Sequence, residues 1–224
     1  MKMALRLTVT SGLGLITFGA MLFVPAGTLN YWQAWVFLAV FTVATLVPSC
    51  YLARTDPAAL QRRMHAGPRA ETRTVQKLVI AAAFGAFAAM VVLSALDHRF
   101  GWSSVPTAVV VIGDALVGVG LGIAMLVVVQ NRYAAATVAV EPGQHVVTTG
   151  LYGVVRHPMY AGNVILMAGI PLALGSYWGL VLYTPGVLIL VPRILDEERL
   201  LTVELAGYRD YTQQVRYRLV PGLW

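Results

Sequence analysis

The sequence predicts an all-α, multi-pass transmembrane bundle of about six helical spans. Of its 224 residues, 58% are hydrophobic and only 12% are charged, and the charges cluster between long apolar runs. Soluble domains average roughly 25% charged residues, whereas apolar runs of about 20 residues match the hydrocarbon core of a bilayer. The composition therefore excludes an ordinary soluble protein and predicts an integral membrane protein.

Six apolar runs are long enough, or nearly long enough, to form membrane spans. They are Leu5–Val24, Tyr31–Leu52, Val75–Leu96, Val105–Val129, Tyr160–Leu174 and Trp178–Leu195. The last two are separated only by Gly175–Tyr177, which predicts a tight helical hairpin. We expect one integrated membrane domain, in which residues 1–129 supply four spans and residues 130–224 supply the hairpin, a catalytic region and a cytoplasmic C-terminal helix.

The basic residues predict how the spans are oriented. With six spans, every Lys and Arg except Arg99 falls on one side, and basic residues are retained on the cytoplasmic side during insertion. Both termini and the two long loops are therefore expected to be cytoplasmic, with Trp32, Trp102 and Trp178 as anchors at the other interface. Enrichment in Ala, Val, Gly and Arg favours a prokaryotic plasma membrane.

The largest group of basic residues lies between spans two and three. It comprises Arg54, Arg62, Arg63, Arg69, Arg73 and Lys77. Such a loop either fixes topology or binds lipid headgroups. Membrane lipids are therefore expected partners, whereas the net charge of +6 does not indicate nucleic acid, because it reflects this placement.

The single cysteine, Cys50, excludes an internal disulfide and a cysteine-based metal site. We expect no metal, and the oligomeric state stays open.

Polar residues with useful chemistry gather in the loop before span five. Residues 145–160 contain two histidines, one arginine and two tyrosines beside a membrane segment. Pro158 suits the first turn of the following helix, where its missing N–H would be unpaired anyway. That helix start offers free backbone N–H groups, which bind carboxylates.

A second polar group follows span six. Arg193 and Glu197 lie four residues apart and share a helix face, with Glu198 next to them. The hairpin returns this segment to the membrane surface where His157 lies. A cationic helix start facing a carboxylate pair is a suitable receptor for a zwitterion such as the methionine part of a cofactor.

Together these segments resemble the isoprenylcysteine carboxyl methyltransferase family, which includes related phospholipid and small-thiol methyltransferases. The resemblance is carried by His145-x4-Gly150-x-Tyr152-x3-Arg156-His157-Pro158-x-Tyr160-x-Gly162, then Glu197-Glu198-x2-Leu201, Tyr208-x2-Tyr211 and Pro221. It covers about residues 130–224, and the first four spans match only in being hydrophobic. It implies a cofactor pocket closed by the cytoplasmic loop and the C-terminal helix, with a lipid-facing tunnel for the acceptor.

The resemblance also implies the cofactor and the residue roles. The cofactor would be S-adenosylmethionine, converted to S-adenosylhomocysteine, and its expected binding residues are His145, Gly150, Tyr152, Arg156, His157, Pro158, Tyr160 and Glu198. The expected catalytic residues are Arg193, Glu197 and His157, with Arg193 facing the reacting carboxylate of a lipophilic or small acceptor, a carboxylate or thiol. Span four departs from the prenylcysteine pattern, because its ionisable residue is Asp114 and it offers no second basic group.

A non-enzymatic membrane protein is the alternative, either a small transporter or a sensor whose loop binds a ligand. Against transport, Asp114 is the only clearly buried charge expected in the first four spans, although such residues are costly and often functional. The other polar residues gather at one surface instead of the midplane where transporters bind substrate. A heme or quinone protein is disfavoured because facing spans do not carry paired histidines.

Overall fold

The structure is a bundle of helices. The computed structural model describes residues 2–64, 70–71, 73–134 and 137–224, with side chains from residue 8 onward. Within these residues 74% of the structure is helical and no strand is present. The helices are α1 Lys2–Ala26, α2 Trp32–Thr55, α3 Pro57–Met64, α4 Thr74–Phe100, α5 Thr107–Gln130, α6 Pro158–Ala173, α7 Tyr183–Leu188, α8 Leu190–Glu204 and α9 Tyr208–Gln214, with 3-10 turns at Gly150–Gly153 and Trp178–Leu182.

Five segments are long and apolar enough to cross a membrane. They are Thr8–Ala26, Trp32–Thr55, Thr74–Phe100, Thr107–Gln130 and Trp178–Glu204. Helix α6 is apolar but has only 16 residues, so it extends roughly 24 Å at 1.5 Å per residue. The predicted all-α multi-pass architecture is confirmed, and α6 accounts for the sixth span.

The last span differs from its predicted course. It was expected to end at Leu195, but it continues to Glu204 through the 3-10 turn, α7 and α8. Pro185 and Pro192 lie within it, and each removes one backbone donor from the i to i−4 ladder. The span is therefore broken into short pieces, and Arg193, Glu197 and Glu198 all lie on its final piece, α8.

The basic loop between spans two and three is also more structured than expected. Helix α3 occupies its first part and carries Arg62 and Arg63 in its last turn. Asp56 begins the helix by accepting a hydrogen bond from the backbone N–H of Ala59 at 2.9 Å. Arg69 lies outside the described residues.

Helices α5 and α6 pack backbone to backbone through glycines. A Cβ on Gly120 would overlap the carbonyl oxygen of Gly162, and one on Gly169 would overlap the carbonyl oxygen of Gly113. Small residues let membrane helices approach closely, which replaces the hydrophobic driving force that lipid does not supply. This contact fixes the start of α6 beside the end of α5, where the polar loop begins.

Helix α4 connects two polar ends of the bundle. Gln76 and Asp97 are buried near its two ends, and their separation of 21 positions corresponds to roughly 30 Å of helix. We call these the Arg193 end, where Gln76 contacts Arg193, and the Asp97 end, where Asp97 contacts Ser176. The half-exposed Trp102 and Trp178 lie at the Asp97 end, as expected for interfacial anchors.

Candidate active site

A cavity lies at the Arg193 end between the polar loop, the start of α6, α8 and α9. We call it the motif cavity. Its lining is rich in aromatic and titratable side chains, with apolar residues between them. It comprises Asn131, Tyr133, Ala134, Thr137, Val138, Ala139, Gln144, His145, Val146, Val147, Tyr152, Arg156, His157, Pro158, Met159, Tyr160, Arg193, Glu197, Leu201, Leu205, Tyr208 and Tyr211.

The structure brings most of the sequence-predicted site residues together around this cavity. Those that line it are His145, Tyr152, Arg156, His157, Pro158, Tyr160, Arg193 and Glu197. Gly150 and Glu198 are not part of the lining. Pro158 occupies the first turn of α6, as the sequence predicts.

Gly150 shapes the loop behind the cavity. Its φ of +62° is in the left-handed region that favours glycine. A Cβ at this position would overlap the side-chain amide of Gln130, and the same amide oxygen accepts a hydrogen bond from the Leu151 N–H at 2.9 Å. Gly150 therefore lets the loop dock against the end of α5.

Glu198 holds three cationic or titratable side chains next to the cavity. Its Oε1 accepts from Arg156 Nε at 2.7 Å and lies 3.2 Å from His157 Nε2, and its Oε2 accepts from Arg218 Nε at 2.9 Å. Charge-assisted hydrogen bonds of this kind are stronger than neutral ones. Glu198 thus fixes the positions of Arg156 and His157, which do line the cavity.

The chain after α9 is tied to the same place by its backbone. The N–H of Arg156 donates to Tyr217 O and the N–H of His157 donates to Arg218 O, both at 2.9 Å. Arg156 Nη1 also donates to the carbonyl oxygens of Val215 and Arg216, both at 3.1 Å. The segment after α9 is therefore fastened along the start of α6.

Arg193 is the centre of a second buried network. Its Nη1 donates to Glu71 Oε1 at 3.0 Å and to Gln76 Oε1 at 2.7 Å, and its Nε donates to the Tyr160 hydroxyl at 2.8 Å. Tyr160 in turn donates to Glu197 Oε2 at 2.6 Å. The Arg193 guanidinium therefore forms an ion pair with Glu71. Through the Tyr160 hydroxyl it also orients Glu197 towards the cavity.

Sequence reasoning missed three members of this network, Glu71, Gln76 and Asp196. Gln76 Nε2 donates to Asp196 Oδ2 at 2.6 Å, and Asp196 Oδ1 accepts from Arg73 Nη2 at 2.5 Å. One signal was present, because Gln76 is an amide near the start of an otherwise apolar run. Its partners are more than 100 residues away in the chain, so only the packing of α4 against α8 identifies them.

Two tyrosines, the partly buried Tyr152 and the buried Tyr208, complete the cavity wall. Burial raises the pKa of Tyr152 to about 12, so its hydroxyl stays neutral at physiological pH. That hydroxyl accepts a hydrogen bond from Asn131 Nδ2 at 3.2 Å. The Tyr208 hydroxyl is also buried, yet it has no hydrogen-bond partner among the described residues. A buried hydroxyl without a partner is costly, and a bound ligand would satisfy it.

Part of the chain matches a known protein family. Residues 108–207 match the phospholipid methyltransferase family. This confirms the predicted resemblance and indicates a membrane methyltransferase, and so an enzyme. No curated protein matches the chain.

The matched region is displaced from the region of the predicted resemblance. It begins within α5, which was expected to match only in being hydrophobic, and it ends at Gly207, before α9. The close glycine contacts between α5 and α6 give a physical reason for the earlier start, because α5 positions the polar loop before α6. Glu71, Gln76 and Tyr208 lie outside the matched residues.

Proposed function

We propose that this protein transfers a methyl group from S-adenosylmethionine to an acceptor that reaches the motif cavity from the bilayer. The observation that carries the proposal is the motif cavity itself, which gathers eight of the expected site residues at one end of the bundle. The buried, unpartnered Tyr208 hydroxyl supports a ligand at this place.

The residues present suit this cofactor. Glu197 lines the cavity as a carboxylate and favours a positively charged group, such as a sulfonium or an ammonium. The first turn of α6 offers backbone N–H groups to a carboxylate. The tyrosines offer flat faces and neutral hydroxyls. When bound, S-adenosylmethionine would supply an electrophilic methyl group attached to sulfur.

The mechanism asks the protein chiefly for orientation and exclusion of water. Arg193 holds Tyr160, and Tyr160 holds Glu197, so the acidic group is fixed before substrate arrives. The acceptor's lone pair forms the new bond to the methyl carbon while the carbon–sulfur bond breaks and its electrons remain on sulfur. For a neutral acceptor, His157 or His145 would take the released proton.

Two classes of acceptor are supported by different observations. The prenylcysteine resemblance favours a carboxylate or a thiol positioned by Arg193. The pairing of Arg193 with Glu71 weakens that assignment, because the guanidinium charge is already balanced inside the protein. The matched family favours a phospholipid, whose methylated nucleophile would be a headgroup amine drawn towards Glu197.

Cofactor binding tests the proposal most directly. The purified protein in detergent should bind S-adenosylhomocysteine with micromolar affinity, which corresponds to about 8 kcal/mol. Incubation with native lipid extract and a labelled methyl donor should yield a labelled product whose identity names the acceptor. Absence of both binding and labelling would favour the transporter or sensor alternative.

We also propose that the Arg193 end faces the cytoplasm, in a prokaryotic plasma membrane. The distribution of basic residues supports this orientation. Cysteine labelling should place Arg62, His145 and Trp224 on the cytoplasmic side and residues 97–104 outside. Finding Arg62 and His145 on opposite faces would contradict the orientation and the shared site together.

A further inference from the structure

A second cavity lies between α1, α2, α3 and α5. We call it the Arg63 cavity. It offers about 300 Å³ to the centres of water molecules, against about 110 Å³ in the motif cavity. Its walls are mostly apolar, with Leu121 and Met125 from α5 and Pro48 from α2, and Arg63 is its charged lining residue.

Arg63 is partly buried and has few polar contacts among the described residues. Its side chain makes a long polar contact, from Nη1 to Met159 Sδ at 4.0 Å, and no carboxylate among the described residues pairs with it. The neighbouring Arg62 differs, because it donates to Arg132 O at 3.0 Å and lies 3.6 Å from Glu141 Oε2. Burial lowers the pKa of Arg63, which reflects the cost of placing its charge away from water. An anion in the cavity would offset that cost.

Two hydroxyl groups of the cavity wall are already used within α2. The Thr45 hydroxyl donates to Phe41 O and the Ser49 hydroxyl donates to Thr45 O, both at 2.7 Å. They have no hydrogen left for an anion. A free phosphate would therefore find one cation and mostly apolar walls, with Thr10 and Ser11 as the remaining polar residues. A lipid fits better, because its phosphate can pair with Arg63 while its acyl chains cover the apolar surface.

The Arg63 cavity adjoins the motif cavity through one side chain. Met159 contacts Arg63 and also lines the motif cavity, directly after Pro158. Met159 packs against a buried apolar cluster that includes Leu52 and Leu60, which also line the Arg63 cavity. Methionine is flexible and adapts to neighbouring groups. A headgroup anchored at Arg63 thus has a short path past Met159 to the motif cavity.

We propose that the Arg63 cavity binds the phosphate of a membrane phospholipid and directs its headgroup into the motif cavity. Arg63 is the counter-ion of the phosphate and takes no part in the methyl transfer itself. The inference rests on the proposed methyl transfer for its role, but lipid binding is measurable without it. It assigns one arginine of the basic loop to a specific lipid contact.

The test compares Arg63→Gln with Arg54→Gln, which removes an exposed charge from the end of α2. The probes are a short-chain phosphatidylethanolamine, a short-chain diacylglycerol that lacks phosphate, and inorganic phosphate. Arg63→Gln should weaken binding of the phospholipid about ten- to hundredfold, as expected for losing a hydrogen bond to a charged group. Diacylglycerol binding, and S-adenosylhomocysteine affinity as a test of folding, should stay within a few fold. Arg54→Gln should leave all of these unchanged.

Two further variants test the charge and the volume of the Arg63 cavity separately. Arg63→Lys should restore part of the phospholipid affinity, and Ala44→Leu, which fills the same cavity, should reduce it without changing the charge. Unchanged phospholipid binding in Arg63→Gln, or an equal loss in Arg54→Gln, would overturn the assignment. So would competition by inorganic phosphate at the same concentration as the lipid, because the site would then be one for soluble anions. Failure of the wild type to bind S-adenosylhomocysteine while lipid binding persists would contradict the proposed function alone.

Discussion

The two polar ends of the bundle use similar side chains for different purposes. At the Asp97 end, Asp97 accepts from Ser103 N at 2.7 Å, Ser103 Oγ at 2.6 Å and Ser176 Oγ at 2.5 Å, and it is 1% exposed. At the Arg193 end, the buried carboxylates and guanidiniums surround a cavity and leave the Tyr208 hydroxyl without a partner. Buried polar groups that are fully satisfied are structural. Those that face a cavity with an unmet hydrogen bond indicate a ligand site.

The Asp97 end joins several helices with few atoms. Ser176 Oγ accepts from Gly179 N at 2.9 Å while donating to Asp97, and Tyr31 OH donates to Leu174 O at 2.6 Å. The Tyr31 ring stacks on His98 with centroids 3.8 Å apart. These contacts hold α2, α4 and the turn after α6 together at one end. The Arg193 end can therefore contain a cavity while the helices stay packed.

The largest effect is expected from Arg193→Ala. Turnover should fall at least about a hundredfold, equivalent to about 2.7 kcal/mol of transition-state free energy, because Tyr160 and Glu197 lose their orientation. S-adenosylhomocysteine affinity should stay within a few fold. Removing the cation also leaves Glu71 buried and unpaired, which should cost about 3–5 kcal/mol of stability. Methyl-transfer assays, calorimetry and thermal unfolding measure the three quantities.

The double variant Arg193→Ala with Glu71→Gln is the matched control. It removes the uncompensated charge, so stability should recover while turnover stays low. Arg193→Lys should rescue turnover only in part, since it keeps the charge but loses the planar fork. If Arg193→Ala loses cofactor binding as severely as activity, Arg193 belongs to the cofactor site. If Arg193→Ala keeps full activity on every acceptor, Arg193 serves only to fix the topology.

Asp97→Ala should affect stability instead of function. It leaves Ser103 and Ser176 donors buried without their acceptor, and each such loss costs about 1–3 kcal/mol. We expect a lower unfolding temperature in detergent with unchanged S-adenosylhomocysteine affinity in the folded fraction. A loss of affinity at unchanged stability would show that the two ends are coupled, and would remove the contrast between them.

His157→Ala and Glu198→Ala should each weaken S-adenosylhomocysteine binding by about 1.5–3 kcal/mol. Glu198 acts indirectly, because its oxygens are occupied by Arg156, His157 and Arg218. Arg218 contacts the same carboxylate but is more exposed than Arg156. Arg218→Gln should therefore reduce S-adenosylhomocysteine affinity less. Unchanged calorimetric affinity in both alanine variants would remove His157 and Glu198 from the site.

The smallest and sharpest effect is expected from Tyr208→Phe. The hydroxyl has no partner within the described structure, so its removal should not destabilise the apoprotein. If the ligand supplies that partner, cofactor affinity should fall by about 0.5–1.5 kcal/mol. Tyr211→Phe is the control, because the Tyr211 hydroxyl donates to Tyr152 O at 2.7 Å and its loss should lower stability instead. Equal affinities in wild type and Tyr208→Phe would mean that the hydroxyl does not face the cofactor.

The sequence by itself determined the membrane class, the approximate spans and the segments that meet at the site. Apolar runs must cross the bilayer as helices, because lipid cannot pair with exposed backbone groups. The number of spans then fixes which polar loops share a surface. This is why the loop before α6 and the start of α8 were expected to converge before their contacts were known.

Only the tertiary structure decided how individual polar residues are paired. Arg193 was expected to face an acceptor, yet its buried counter-ion is Glu71, 122 residues earlier in the chain. Likewise, Gly162 is explained by its close approach to Gly120 on α5. Helical periodicity predicts which face of a helix a residue occupies, but it does not predict which side chain on another helix lies opposite. That depends on the rotation and depth at which helices pack, which the tertiary structure supplies and the spacing of residues does not.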